Sequence, residues 1–130
     1  MLDVICFTTM VQNFNMAISE FELKRCEKQL ETFLSKHRPP AHVRSQLDIG
    51  YRIKNQSVEI FEIRPDFRDE TNKIEISVAK ATFVKTQKNW KVYWQKSDQK
   101  WHSYDPDPSV KSIDAFLDVV GNDHHACFFG

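Results

Sequence analysis

The segment from Lys85 to Trp101 is the strongest candidate for a binding surface in this 130-residue chain. It holds five lysines against a single acidic residue, Asp98, and four large aromatic residues are interleaved with them. Aromatic rings stack on unpaired bases and lysines neutralise phosphates, so this pattern predicts weak binding of single-stranded nucleic acid. The candidate binding residues are Lys91, Tyr93, Lys96 and Lys100.

A structural interpretation of the same segment competes with this one. Side chains alternate along a strand, which places Trp90, Val92 and Trp94 on one face and Lys91 and Tyr93 on the other. The aliphatic Val92 indicates that the first face is buried, because large aromatic residues dominate the cores of small domains. We therefore expect the indole rings of Trp90 and Trp94 to point inward. On this interpretation Trp94→Ala costs roughly 3 to 5 kcal/mol of stability.

Glu62, Arg64 and His102 are weak candidates for a catalytic site. Glu62 and Arg64 lie two residues apart on one strand face, where a guanidinium holds a carboxylate or an incoming anion. A buried Glu62 would serve as a general base. An enzyme built on these residues, with Cys127 as a further member, requires them to converge on one cleft. The structural alternative is a salt bridge on the sheet surface.

A weak candidate for a metal site lies near the carboxyl end, where His124, His125 and Cys127 offer zinc-ligand chemistry. Adjacent histidines seldom face one ion, and no CxxC or HxxxH spacing accompanies them. The chain also has no G-x-S-x-G motif, and its three glycines form no phosphate-binding loop. We expect no cofactor, and we favour a non-catalytic binding or interaction module over a small enzyme or a metal-stabilised domain.

The charge balance limits the partners that are available to the protein. Eighteen basic and 18 acidic residues give a formal net charge of zero, so the chain as a whole does not attract nucleic acid or an anionic membrane. Nucleic-acid binding must therefore come from a local patch. No apolar run approaches the roughly 20 residues that span a bilayer, and three cysteines fit a reducing cytosol. We expect a cytoplasmic protein with no membrane contact, and the sequence leaves its oligomeric state open.

The elements that position these residues are a helix, a set of strands and a second helix. Ser19 and Glu22 form a capping box, and the helical pattern continues to His37 before Pro39 and Pro40 end it. Ser112 is predicted to cap a second, short helix that ends at Gly121. The tail from Cys127 to Gly130 carries two phenylalanines, which we expect to dock on the body of the domain.

Between the helices the hydrophobic period changes to two, which predicts about five antiparallel strands. Pro65 is expected to end the second strand, and residues 66–72 are expected to form a loop. Pro106 and Pro108 are expected to break the sheet after the fifth strand. The fold class that follows is α+β, an antiparallel meander with both helices packed on one face.

Several motifs resemble those of a bacterial family catalogued as the domain of unknown function DUF3024. They are Met16–Glu20, Arg38–Pro40, Phe61–Pro65, Val78–Thr82, Trp90–Trp94, Lys100–His102, Tyr104 with Pro106, and Cys127–Gly130. The resemblance implies a bacterial, cytoplasmic protein and carries over no activity, cofactor or catalytic residue. It covers residues 16–130, which we expect to form a single domain. Residues 1–15 are expected to be an N-terminal extension, and since Met10 and Met16 are alternative starts, its presence in the native chain is open.

Overall fold

The computed structural model describes residues 19–123 and 127–129. Over these residues the chain forms two α helices, one 3-10 helix and six strands. In chain order they are α1 (Glu20–His37), the 3-10 helix (Ala41–Val43), β1 (Asp48–Lys54), β2 (Ser57–Asp66), β3 (Asp69–Val84), β4 (Asn89–Gln95), β5 (Trp101–Ser103), β6 (Ser109–Val110) and α2 (Ile113–Asn122). This arrangement confirms the α+β class.

The strands form one antiparallel meander in the order β1-β2-β3-β4-β5, with β6 pairing to β4 beyond the end of β5. Short turns connect neighbouring strands, and three of these turns place a residue in the left-handed region: Asn55, Lys88 and Gln99 have φ values of 56°, 53° and 63°. Such turns match the right-handed twist of the strands that they join. Sequence neighbours are therefore also neighbours in the sheet.

Both helices pack on the same face of the sheet, which we call the inner face. The Ser19 half of the predicted capping box forms, with the Glu22 amide donating to Ser19 Oγ at 3.1 Å. The apolar sides of the two helices meet inner-face residues of β2, β3 and β4 in one core; its helical members are Leu23, Cys26, Leu30, Phe33, Ile113, Phe116, Leu117 and Val120. Among the described residues, no helix is long and apolar enough to cross a membrane.

Strand β4 follows the predicted alternation. Trp90 and Val92 are buried in the core, and Lys91 between them is exposed. Trp94 packs against the same core but remains partly exposed. The inward orientation of these indole rings is therefore confirmed, whereas the burial assumed for Trp94 is too high. The stability cost expected for Trp94→Ala falls below that of Trp90→Ala accordingly.

The prediction that Pro65 ends pairing in β2 is wrong. Pro65 lies opposite Lys73, and β2 continues to Asp66 before a two-residue turn leads into β3 at Asp69. Strand β1 pairs with β2 only as far as Ile63, so Pro65 lies where β2 has no neighbour on that side. A proline is tolerated at such an edge, because its missing N–H leaves no ladder bond unmade. The loop predicted for residues 66–72 is accordingly mostly strand.

Near the carboxyl end one prediction is confirmed and one needs correction. Pro106 and Pro108 interrupt the sheet as predicted, because residues 104–108 lie outside the strands; pairing then resumes as β6 pairs with β4, and the Val92 amide donates to the Pro108 carbonyl at 3.0 Å. Helix α2 runs past Gly121 to Asn122, and the residue that caps it, Asp123, has φ 44°. Gly121 instead allows close approach of the helices, because a Cβ there would lie 3.1 Å from His37 Nε2.

The expected docking of the tail is confirmed for its described part. The Asp123 carboxylate accepts hydrogen bonds from the amides of Phe128 and Phe129, at 3.0 and 2.8 Å. The Phe128 ring is buried and lies 4.7 Å from the Tyr104 ring between centroids. The tail thus adds a ring to the core.

Candidate binding face of the sheet

The face of the sheet opposite the helices, which we call the open face, carries polar and aromatic side chains. One cross-strand row runs from Arg52 through Glu59 and Lys80 to Tyr93, as the strand register shows. Paired residues in antiparallel strands point to the same side, so these four share a face. Neither helix contacts this row, because both occupy the inner face.

Tyr93, Trp101 and Lys80 form a cluster on the open face that we call the aromatic platform. Trp101 in β5 is paired with Gln95 and is therefore a diagonal neighbour of Tyr93 in β4. The Lys80 Nζ atom, reaching across from β3, lies 5.1 Å from the Tyr93 ring centroid and 4.8 Å from that of Trp101. Both rings are partly exposed. The platform therefore offers two accessible ring surfaces beside a cation.

The other half of the open face is closed by an ion-pair cluster. Arg52 pairs with Glu59 at 3.1 Å and with Glu75, and Ser77 Oγ donates to Glu59 at 2.9 Å. The Arg52 guanidinium also covers the Phe61 ring, with Cζ 4.4 Å from its centroid. Phe61 is only 6% exposed as a result. Phe61 therefore offers no accessible ring surface, and the charge of Arg52 is neutralised.

Cations near the aromatic platform are not neutralised in this way. Lys91 is exposed and lies opposite Thr82, in the row next to that of Tyr93 and Lys80. Within residues 19–123 and 127–129, neither Lys80 nor Lys91 forms an ion pair with a carboxylate. The platform is thus locally positive although the chain as a whole is neutral.

The four predicted binding residues occupy different parts of the structure. Lys91 and Tyr93 lie on the open face, as alternation predicts. Lys96 Nζ lies 5.2 Å from the ring centroid of Trp94, an inner-face residue, so Lys96 is directed away from the platform. Lys100 is exposed in the turn between β4 and β5, where its amide donates to Asp98. Lys80, the third member of the platform, was missed because it belongs to a strand outside the aromatic segment.

The candidate catalytic residues are not brought together. Arg64 Nε and Nη2 lie 3.0 and 2.9 Å from Glu62 Oε1, which is the surface salt bridge of the structural alternative. His102 is bound instead by Asp98, with Nε2 2.9 Å from Oδ2. Strands β3 and β4 lie between β2 and β5, a separation of about 14 Å at ~4.8 Å per strand. Each group has its own local partner.

Cys127 and the two histidines do not extend this set. Burial and the nearby Asp123 carboxylate raise the pKa of the Cys127 thiol, which keeps it protonated and weakly nucleophilic near neutral pH. His124 and His125 lie outside the described residues. Across the described parts of the chain, no group of three or more His, Cys, Asp or Glu side chains is placed to hold a metal ion.

The fold and the site define a small α+β protein with an antiparallel meander, helices on one face and a partly aromatic open face on the other. The chain belongs to the DUF3024 family, a domain of unknown function, whose model matches residues 18–130. Comparison with curated proteins and with solved structures gave no match. Function must therefore be argued from the chemistry of the molecule itself.

Proposed function

We propose that this protein is a non-catalytic binding module that holds single-stranded nucleic acid on the open face of its sheet. The observation that carries the proposal is the aromatic platform, in which Tyr93 and Trp101 flank the ammonium group of Lys80. Two partly exposed rings on a sheet face that neither described helix covers form a stacking surface, and bases stack on such surfaces with little regard to sequence.

Lys80 has a defined role in this mechanism. In the unbound protein its ammonium group lies against both rings, where a cation–π contact contributes about 0.5 to 1 kcal/mol at an exposed site. An incoming base takes the ring surface, and the lysine then pairs with the phosphate that follows it. Stacking contributes ~1 to 3 kcal/mol per base, so the exchange favours the complex.

Lys91 supplies a second positive charge in the next row of the same face. With so few cations and a formal net charge of zero, the affinity is low and falls steeply with salt. Double-stranded DNA binds more weakly than a single strand, because its bases are already stacked on one another. Preference for the single strand therefore distinguishes stacking from simple attraction to phosphates.

The proposal places the protein in the bacterial cytosol, where single-stranded RNA and DNA are both present. The family resemblance and the cysteine content support this location. Cys26 and Cys127 are free cysteines among the described residues, which fits a reducing compartment.

The experiment is a salt titration of binding to a short fluorescent oligonucleotide, with Lys91→Gln compared with Lys96→Gln. Each variant removes one positive charge from the segment between Lys85 and Trp101. Lys91 lies on the open face, whereas Lys96 lies beside Trp94. We expect Lys91→Gln to weaken binding at low salt and to reduce the slope of log K against log salt by about 0.7, the value for one phosphate contact on a single strand. Lys96→Gln should leave both quantities unchanged.

Two outcomes overturn the proposal. One is the absence of binding at low salt by the unchanged protein. The other is equal weakening by both variants, which would show attraction to charge without a defined face. Trp101→Leu adds a test of stacking, since it keeps an apolar side chain but removes the aromatic ring; unchanged affinity in this variant would exclude the platform.

A further inference from the structure

A groove of about 420 Å³ lies on the other side of the sheet from the aromatic platform. Three parts of the chain enclose it: the first turns of α1 and α2, and the turn between β3 and β4. Its size falls within the range of ~300 to 1,000 Å³ that is typical of small-molecule sites. Three of its lining residues, Lys85, Lys88 and Trp90, belong to the segment from Lys85 to Trp101, but the proposed function does not use this groove.

The rim of the groove is rich in unpaired positive charge. Four cationic side chains line it, Arg25, Lys85, Lys88 and Lys111, against two carboxylates, Glu22 and Asp114. None of the four cations forms an ion pair with any carboxylate in the described part of the chain. The amino ends of both helices also border the groove, and their dipoles add to its positive potential.

The floor of the groove is apolar and partly aromatic. Cys26, Phe83, Trp90 and Ile113 line it, and Phe83 is the partly exposed member of this set while the other three are buried. The rings of Phe83 and Trp90 are tilted by 55° with centroids 5.2 Å apart. The Cys26 thiol is neutral at physiological pH, because burial, the largest cause, raises its pKa to about 12. The floor therefore suits a flat ring and carries no charge that would repel an anion.

We infer that this groove binds a small aromatic phosphate monoester, with its ring against the partly exposed Phe83 ring and its phosphate among the rim lysines. The phosphate is favoured over a single carboxylate because its double negative charge matches the excess of two cations over the lining carboxylates. Lysines suit this role as point charges that reach a phosphate from several directions. The ligand thus touches the face of the sheet that the proposed nucleic-acid site does not use.

The test uses phenyl phosphate as the probe and the full chain labelled with ¹⁵N. Trp90 lines the groove and Trp101 lies on the open face, so their indole N–H signals report the two sites separately. We expect phenyl phosphate to shift the Trp90 signal and to leave that of Trp101 in place. Inorganic phosphate should bind at least about tenfold more weakly, because it cannot use the apolar floor.

Charge is tested with the double variant Lys85→Gln/Lys111→Gln against the control Lys24→Gln/Lys28→Gln. The control removes two exposed α1 lysines that do not line the groove, so the net charge changes equally. We expect the first pair to weaken phenyl phosphate binding about tenfold or more and the control pair to change it less than about twofold. The spectra of both variants show whether the fold is kept.

Three results would overturn the inference: no shift of the Trp90 signal at about 10 mM phenyl phosphate, ten times a millimolar Kd; equal weakening by both double variants; or equal affinity for inorganic phosphate. None of them bears on oligonucleotide binding, which is read from Trp101 and from Lys91→Gln. Failure of the groove and failure of the proposed function are therefore distinguishable.

Discussion

The two faces of strand β4 show how one short segment serves two purposes. On the inner face Trp90 and Val92 are 5% and 0% exposed and belong to the core. On the open face Tyr93 remains partly exposed and is contacted by the ammonium group of Lys80. Residue type is similar on both sides, but Trp90 is enclosed by the core whereas Tyr93 lies outside it. An aromatic residue in a sheet can therefore be assigned to a binding surface only after the face that it occupies is known.

The open face itself is divided in the same way. Phe61 is covered by Arg52, whose charge is balanced by Glu59 and Glu75, whereas Tyr93 and Trp101 meet a lysine that has no ion pair in the described residues. The first arrangement is closed by its own side chains, and the second leaves ring surface accessible. The comparison predicts different consequences for substitutions in the two faces and in the two halves of the open face.

The largest expected difference is between Trp90→Ala and Trp101→Ala. Removing the buried Trp90 side chain leaves a cavity in the core and should cost about 3 to 5 kcal/mol. Removing Trp101 loses a cation–π contact on a partly exposed surface and should cost ~0.5 to 1 kcal/mol. Denaturant unfolding of the two variants measures both values. Equal costs would contradict the division between a structural and an accessible face.

A smaller effect is expected from Gly50→Ala in the closed half of the open face. A Cβ at position 50 would lie 2.9 Å from Cε1 of Phe61, which closes over the glycine from the neighbouring strand. The Phe61 ring must move against Arg52, so we expect the free energy of unfolding to fall by about 1 to 3 kcal/mol. Lys54→Ala, on an exposed site of the same strand, is the control. A stable Gly50→Ala protein would show that the Phe61 cover is loose.

The smallest effect concerns the ion pair that ties the end of α1 to β1. Hydrogen bonds from Arg38, at 2.7 Å to each Asp48 oxygen, lower the pKa of that carboxyl below its ordinary 3.8. The stabilisation that the ionised Asp48 carboxylate gives the folded protein is thus present above pH 3.8, and it is lost as the pH falls through the lowered pKa. Asp48→Asn should unfold with a weaker dependence on pH in this acidic range. An unchanged pH profile would show that the pair contributes nothing.

Local patterns in the sequence predict most of the fold. The capping box fixes the start of α1, and the alternation of Trp90, Lys91 and Val92 assigns the faces of β4, because both depend only on residues close in the chain. The sequence does not predict the extension of β2 past Pro65, because this extension does not depend on a local pattern of that kind. Residues 69–72 are polar and exposed, so they carry no hydrophobic period, and the proline is tolerated only because β1 has already ended.

The candidate sites are less accessible to sequence reasoning. Lys80 joins Tyr93 only through the register between β3 and β4, and the groove gathers residues from α1, the β3–β4 turn and α2. Hydrophobic periodicity specifies which face a residue occupies but not which residue of a neighbouring strand it meets. The salt bridge between Glu62 and Arg64 is an exception. Because the two residues lie two positions apart in one strand, the sequence alone offers this pair as an alternative to a catalytic site.

The most direct test of the account is to follow the three indole N–H signals of the ¹⁵N-labelled protein while a short single-stranded oligonucleotide is added at low salt. Trp90 and Trp94 belong to the inner face and Trp101 to the platform. We predict that the Trp101 signal shifts in proportion to binding, that the Trp90 signal stays in place, and that a duplex of the same sequence has a much smaller effect. A shift of Trp90 without one of Trp101, or no shift at all, would contradict the assignment of recognition to the open face.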